Sequence, residues 1–277
     1  MKAISSALTW AAIALLVIVA LPVLALVRLF DWRKPHYATG RVFRFLGGLI
    51  PRVNPAWRVT RTGTLPRDPR RPYVVVSNHQ SNADIPLISM LPWEMKWVAK
   101  KTLFDVPVLG WEMTLAGDIP VDRKDPDSRA TVLVRAERRL KRACSVMFFA
   151  EGTRSRDGRV KAFHDGAFRL AVAAGVPILP LAVDGTKDAL PTLGWKFSAA
   201  DCRLHVFPPV ETAGLTEADV PALRERVRQQ IIRQLAGWRG VAPESVDALD
   251  AAQGLAAAAD PLGAPEVENP SKSAIER

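Results

Sequence analysis

From Ala3 to Val27 the chain carries no charged residue, and Ala7 to Val27 is almost wholly alanine, leucine, isoleucine and valine. A helix rises about 1.5 Å per residue, so about 20 such residues cross the hydrocarbon layer of a bilayer. The run therefore predicts a transmembrane helix over about residues 7–27, with Pro22 tolerated as prolines are in lipid-embedded helices. A cleaved signal peptide is the rival reading, because Lys2 precedes the apolar run. The run is longer than an ordinary signal core, and it passes straight into Arg28, Arg33, Lys34, Arg41 and Arg44 without a small-x-small site, which favours an uncleaved anchor. The basic cluster assigns that end to the cytoplasm by the positive-inside rule. The expected arrangement is a single-pass anchor in the inner membrane, with the body of the protein on the cytoplasmic side. Tyr37 to Ile50 sets Arg41 and Arg44 among Val42, Phe43, Phe45, Leu46, Leu49 and Ile50, the pattern of an interfacial amphipathic helix or of a helix packed on a domain.

The 277 residues suffice for one substantial core with appendages. The formal net charge of +10 conceals an asymmetry, since residues 240–277 hold seven acids and two bases. The rest of the chain is thus strongly basic, which suits anionic headgroups, phosphorylated substrates or nucleic acid. The longest basic run, Arg129 to Arg142, lacks interleaved aromatic residues, which argues against single-stranded nucleic acid, and none is expected as a partner. The division expected is an anchor over 1–55, a catalytic domain over 56–239 and a loose acidic tail over 240–277. Cys144 and Cys202 are too few for a disulfide framework, and Cys144 opens an apolar run as a reduced core cysteine does.

Beyond Trp57, short β-branched runs alternate with helical patterns, as in an α/β domain with a mixed sheet flanked by helices. Strands are expected at Trp57–Thr60, Tyr73–Ser77, Lys96–Ala99, Asp118–Val121, Val146–Ala150, Ile178–Val183 and Leu204–Phe207. Helices are expected near Ile85–Met90, Val108–Leu115, Asp127–Arg142, Gly166–Ala174 and Glu217–Trp238. The arginines of the third of these helices read as a solvated face, with a phosphate or membrane patch as the alternative.

Where the strand Val74-Val75-Val76-Ser77 ends, the chain reads Asn78-His79-Gln80-Ser81-Asn82-Ala83-Asp84. A histidine at a strand end and a carboxylate five positions on can fold back into an imidazole–carboxylate pair, which is half of a catalytic triad. The same residues also describe a core histidine beside a helix N-cap, so the pair alone leaves both readings open. Phe148-Phe149-Ala150 runs into Glu151-Gly152-Thr153-Arg154-Ser155, a turn able to offer N–H groups and a guanidinium fork to an anion. Arg123 follows another short strand, and Lys100 and Lys101 a third. Cations at several strand ends are what an α/β sheet needs to hold a phosphorylated ligand. Val176-Pro177-Ile178-Leu179-Pro180-Leu181 reads as packing. No His-x-x-x-His pair or cysteine set accompanies His79 and His164, so no metal is expected.

These four blocks, in this order, resemble the glycerolipid acyltransferase family, which includes the 1-acyl-sn-glycerol-3-phosphate acyltransferases. Asn78, His79 and Asp84 meet its Asn-His-x4-Asp pattern, Gly117, Ile119, Val121 and Arg123 its Gly-x-Ile-x-Val-x-Arg pattern, and Glu151 to Ser155 its Glu-Gly-Thr-Arg-Ser block. The likeness covers roughly Trp57 to Val210. Ala150 replaces the family's usual proline, and His164-Asp165-Gly166 replaces a commonly basic stretch.

The resemblance implies transfer of an acyl group from acyl-CoA or acyl-carrier protein, as co-substrate, to the sn-2 hydroxyl of lysophosphatidic acid, giving phosphatidic acid. No other cofactor is expected. It implies His79 as base, oriented by Asp84, with substrate contacts at Asn78, Lys100, Arg123, Glu151, Gly152, Thr153 and Arg154. Arg123 and Arg154 would hold the phosphate, and Glu151 would bind a glycerol hydroxyl or orient an arginine. Other acceptors, namely a lyso-ornithine lipid, another lysophospholipid or glycerol 3-phosphate, keep the same chemistry, and a non-enzymatic module binding anionic lipid is the alternative outside catalysis.

Overall fold

The computed structural model describes residues 2–249 apart from residue 69. Ten α-helices occur among the described residues: α1 (Lys2–Phe30), α2 (Tyr37–Gly47), α3 (Ile50–Val53), α4 (Asp84–Ser89), α5 (Leu109–Ala116), α6 (Pro126–Leu140), α7 (Gly166–Ala174), α8 (Thr186–Ala189), α9 (Val220–Arg239) and α10 (Pro243–Val246). The strands are β1 (Trp57–Gly63), β2 (Val74–Ser77), β3 (Met95–Lys100), β4 (Ile119–Val121), β5 (Ser145–Phe149), β6 (Ile178–Asp184) and β7 (Ala200–Val206). All seven expected strands occur, with ends displaced by four residues at most. The short helices α3, α8 and α10 carry too few turns to leave a periodic pattern in the sequence.

One sheet joins the strands in the order β1-β7-β6-β2-β5-β3-β4. β6 and β7 are antiparallel; every other neighbouring pair is parallel. Side chains alternate across a strand, so Val74 and Val76 of β2 enter the core under α6, α7 and α9, while Val75 enters the opposite core with Leu87, Trp93, Trp97 and Phe197. Burial on both faces explains why β2, β5 and β6 read as unbroken apolar runs.

α1 is long and apolar enough to cross a membrane. One stripe of it, through Ser6, Thr9, Ala20 and Leu24, is buried against the rest of the protein. Those positions repeat at helical spacing over about 27 Å of helix axis, so α1 lies along the domain. Near its start, Trp10 Nε1 donates to the Trp195 carbonyl at 2.7 Å and Phe197 N donates to Ser6 Oγ at 2.9 Å. Near its end, Asp31 caps α2 by accepting from Thr39 N at 2.7 Å.

α2 was open to two readings, and its Arg44 decides between them. Rather than facing a membrane interface, Arg44 is buried and paired with Asp118, whose other oxygen accepts from Trp97 N at 2.9 Å. Beside it the fully buried Lys96 ammonium donates to Glu94 Oε1 at 2.8 Å and to the His36 and Ala116 carbonyls at 2.9 and 2.6 Å. Removing either partner would strand a buried charge, so this network ties α2 to β3.

The loose tail expected from Gly240 does not begin there. Val160 N donates to the Val246 carbonyl at 2.8 Å, Val246 is buried, and Asp247 pairs with the buried Arg228 of α9. The apolar side chain at 246 and the carboxylate at 247 were diluted in the sequence by the acidic, alanine-rich residues that follow. The remainder of the expected tail, residues 250–277, lies outside the described residues.

Candidate active site

Strands β6, β2, β5, β3 and β4 are adjacent and parallel, so their C-terminal ends open on one edge of the sheet. Thr186, His79, Glu151, Lys100 and Arg123 each stand at or just after one of those ends. The expected histidine–carboxylate pair forms: His79 Nδ1 and Asp84 Oδ2 are 2.7 Å apart. Asp84 opens α4 and is fully buried. Its Oδ2 also accepts from the backbone N–H groups of Gln80 and Ser81, at 2.7 and 3.0 Å, and its Oδ1 accepts from the Thr186 hydroxyl. Surrounded by donors, the carboxylate acts as an acceptor, which assigns the proton to His79 Nδ1 and the lone pair to Nε2. Phe149 stacks on the imidazole with centroids 3.7 Å apart and planes 12° from parallel, fixing the ring plane. The His79 side chain retains 11% exposure, while that of Asp84 has none.

Asn78, expected at the substrate, is instead committed to the fold. Its amide donates to the Val183 carbonyl and accepts from Val183 N, both at 2.9 Å, which locks β2 to β6 where the sheet would otherwise stop. Glu151 is likewise turned inward. Oε1 accepts from His79 N at 2.8 Å and Oε2 from Lys161 N at 3.2 Å, so both oxygens hold backbone rather than an arginine. Burial pushes its carboxyl up to about 7, against the pull of those two N–H groups and of the Lys161 charge. The loop after β5 is thereby bound to the backbone of the histidine itself, an arrangement completed by Ser155 N donating to the His79 carbonyl at 2.7 Å.

Gly152 sits at φ +67°, and a Cβ there would come within 2.9 Å of His164 Nε2, so the turn needs glycine on both counts. Lys161 Nζ donates to Thr153 Oγ1 at 3.1 Å and to the Arg154 carbonyl at 2.8 Å, stiffening the turn and adding a cation to it. Arg154 is half-buried, and Arg123 lies near enough that the Arg154 charge, after the larger effect of burial, lowers its pKa. Arg123 is itself exposed to solvent at the mouth of this edge. Neither arginine has an acidic partner among the described residues. Two like charges held together without a counterion form a site that favours an anion. Lys100 ends β3 on the same sheet edge, exposed to solvent. In the His164-Asp165-Gly166 segment, Asp165 pairs with Arg224 at 2.5 Å.

A groove partly open to solvent runs from this edge between α6 and the sheet. Val121, Val132, Leu133, Phe148 and Phe149 line it, with Arg123 and Gly152 at its polar end. The histidine's stacking partner is therefore also a wall of the apolar groove.

Thr186 and Lys161 escaped the sequence reading because threonine and lysine at those places look like a helix start and a surface charge. The weak signal for Thr186 was Gly185 before it, which adopts φ +77° to turn the chain out of β6. A second cleft near Gln80 is polar, and its cations are already engaged: Arg239 with Asp184 at 2.6 Å and Arg203 with the Trp238 carbonyl at 2.8 Å.

Residues 57–184 match the family model described as Acyltransferase. Over 166 residues the chain is 40% identical to 1-acyl-sn-glycerol-3-phosphate acyltransferase alpha of Homo sapiens, the match covering 59% of each chain. It is 44% identical over 121 residues to 1-acyl-sn-glycerol-3-phosphate acyltransferase BAT2, chloroplastic, of Brassica napus, covering 44% of this chain and 35% of that one. The match thus spans less than two thirds of the length of these relatives. In fold it is similar to the crystal structure of the 1-acyl-sn-glycerophosphate (LPA) acyltransferase PlsC of Thermotoga maritima, with a TM-score of 0.72, 23% identity, and coverage of 86% of this chain and 96% of that one.

Proposed function

We propose that the chain, whose residues 57–184 match the Acyltransferase family model, moves a fatty acyl group from a thioester to the sn-2 hydroxyl of lysophosphatidic acid, giving phosphatidic acid. The observation that carries the reading is the His79–Asp84 pair beside an apolar groove and two uncompensated arginines. His79 Nε2 takes the proton of the acceptor hydroxyl as its oxygen attacks the thioester carbonyl. The tetrahedral intermediate collapses with cleavage of the carbon–sulfur bond, and the imidazolium returns the proton to the departing thiolate. Asp84 holds the ring and stabilises its charged form. No acyl-enzyme is required, because the thioester is already activated.

Arg123 and Arg154 supply the charge for the acceptor phosphate, with Lys100 a further cation on the same edge. The walls of the groove are suited to an acyl chain. Glu151 and Asn78 act by holding the loops in place, and Gly152 and Thr153 by shaping the turn. The relatives' names support lysophosphatidate as acceptor, and the paired arginines favour a phosphate monoester over a zwitterionic or ornithine headgroup. Acyl-CoA and acyl-carrier protein both remain donors of the right chemistry. Comparing lysophosphatidic acid with monoacylglycerol as acceptor tests the assignment: Arg154→Ala should raise KM for the first and leave the second unaltered. Equal KM for both acceptors in the wild type would remove the phosphate from the account.

α1 is proposed to anchor the body to the cytoplasmic face of the inner membrane. Its buried stripe favours a seat along one leaflet, with the domain beside it, over an upright crossing. Retention of the protein on membranes after an alkaline wash, and its release when α1 is deleted, is the expected result.

A further inference from the structure

Resting on the reading that α1 is embedded in lipid, we propose that the loop from Leu190 to Phe197 is a second membrane-contacting element, entering the headgroup region of the same leaflet beside the catalytic histidine. The loop joins α8 to β7 and displays Leu193 at 88% and Trp195 at 50% exposure. A leucine so exposed gains nothing from water, and its neighbours Trp195 and Lys196, whose Nζ lies 5.9 Å from the Trp195 ring centroid, are residues that settle at headgroup level. The occupant is identified by continuity. The Trp195 carbonyl accepts from Trp10, Phe197 N donates to Ser6, and the Trp10 and Phe197 rings are 5.0 Å apart. The loop is therefore joined to the first turns of α1, where Ile4 and Leu8 are themselves 68% and 67% exposed. A bilayer that covers those turns meets the loop as well.

The other side of the loop is bonded to the catalytic segment. Ser81 Oγ donates to the Leu190 carbonyl at 2.5 Å, and Thr192 Oγ1 donates to the Gln80 carbonyl at 3.1 Å. Gln80 and Ser81 are the residues whose N–H groups bind Asp84. A lipid acceptor leaving the bilayer at this loop would thus emerge next to His79, with no aqueous transit of its acyl chain.

Both native cysteines are buried, so a cysteine at an exposed position can be labelled selectively. The full chain would be made as Leu193→Cys, Leu15→Cys on the exposed face of α1, and Arg138→Cys on the solvent face of α6, each carrying an environment-sensitive fluorophore. In phosphatidylcholine–phosphatidylglycerol vesicles containing brominated lipid, the labels at 193 and 15 should be quenched and shielded from iodide, and the label at 138 should be neither. Quenching at 15 but not at 193 overturns the proposal alone, whereas its absence at both overturns the anchoring of α1 with it. Shielding of 193 from iodide without quenching by the brominated lipid would signal a protein occupant and also overturns it. In addition, Leu193→Asp should lower the rate on vesicle-embedded acceptor roughly tenfold or more, as the loss of one leucine's partitioning implies, and leave the rate on a water-soluble short-chain acceptor unchanged. An equal fall on both acceptors would reassign Leu193 to the catalytic fold.

Discussion

Replacing Asp84 by asparagine separates charge from geometry at the histidine. Asparagine is isosteric, and its carbonyl oxygen can keep the Oδ2 position, where His79 Nδ1, Gln80 N and Ser81 N converge at 2.7, 2.7 and 3.0 Å. Its NH2 then faces Thr186, whose hydroxyl can turn to accept instead of donate. The loop should therefore persist while the negative charge is lost. Two unit charges about 4 Å apart at an effective dielectric near 20 attract by about 4 kcal/mol, and the amide dipole retains part of this. A loss of about 3 kcal/mol of imidazolium stabilisation corresponds to roughly a hundredfold fall in kcat. Thiol release from a soluble acyl thioester measures the rate, and circular dichroism with thermal melting checks the fold. A folded Asp84→Asn protein within about fivefold of wild type would refute the view that this carboxylate stabilises a charged histidine.

Three further substitutions test the surrounding framework. Thr186→Val removes the hydroxyl donor to Asp84 and should cost kcat roughly tenfold at unchanged KM; Thr186→Ser should restore the rate, and a loss that serine does not restore would point to packing instead. Glu151→Gln leaves one carbonyl oxygen to serve two buried N–H donors, so melting should show a loss of about 1–3 kcal/mol alongside lower kcat. A raised acceptor KM with unchanged stability would return Glu151 to the substrate. Glu112 is fully buried and neither of its carboxylate oxygens has a hydrogen-bond partner among the described residues; burial pushes it from 4.5 up to about 7. The fold therefore favours the neutral acid. Its contribution is intact below the unfolded value and is lost as pH rises through about 7, by at most roughly 3 kcal/mol. Glu112→Gln should melt close to wild type near pH 5 and several degrees above it near pH 8, and a gain independent of pH would contradict this assignment.

What could be read in the sequence was what the chain brings together locally. His79 and Asp84 are five residues apart across a strand end and a helix start, so their meeting follows from two short elements. The sheet was readable because the strands buried on both faces leave apolar runs between turns. The roles of Glu151 and Asn78 were not, because their partners, His79 N and Val183, are 72 and 105 residues away, and a buried carboxylate in a cationic motif looks the same whether it faces ligand or backbone. The seat of α1 was hidden for another reason. A helix apolar on every side gives no moment by which to orient it, and only Ser6 and Thr9, one turn apart on the buried stripe, marked the face that meets the domain.

On the proposed mechanism the decisive step is activation of the acceptor hydroxyl by His79. It is tested most directly by acyl transfer from a labelled thioester to lysophosphatidic acid in matched membranes holding wild type or His79→Ala. A positioned base contributes on the order of 10² to 10⁴ in rate, so the variant should fold, retain its membrane association and lose at least that much of its phosphatidic acid synthesis. Phosphatidic acid formed at the wild-type rate by folded His79→Ala would contradict the account.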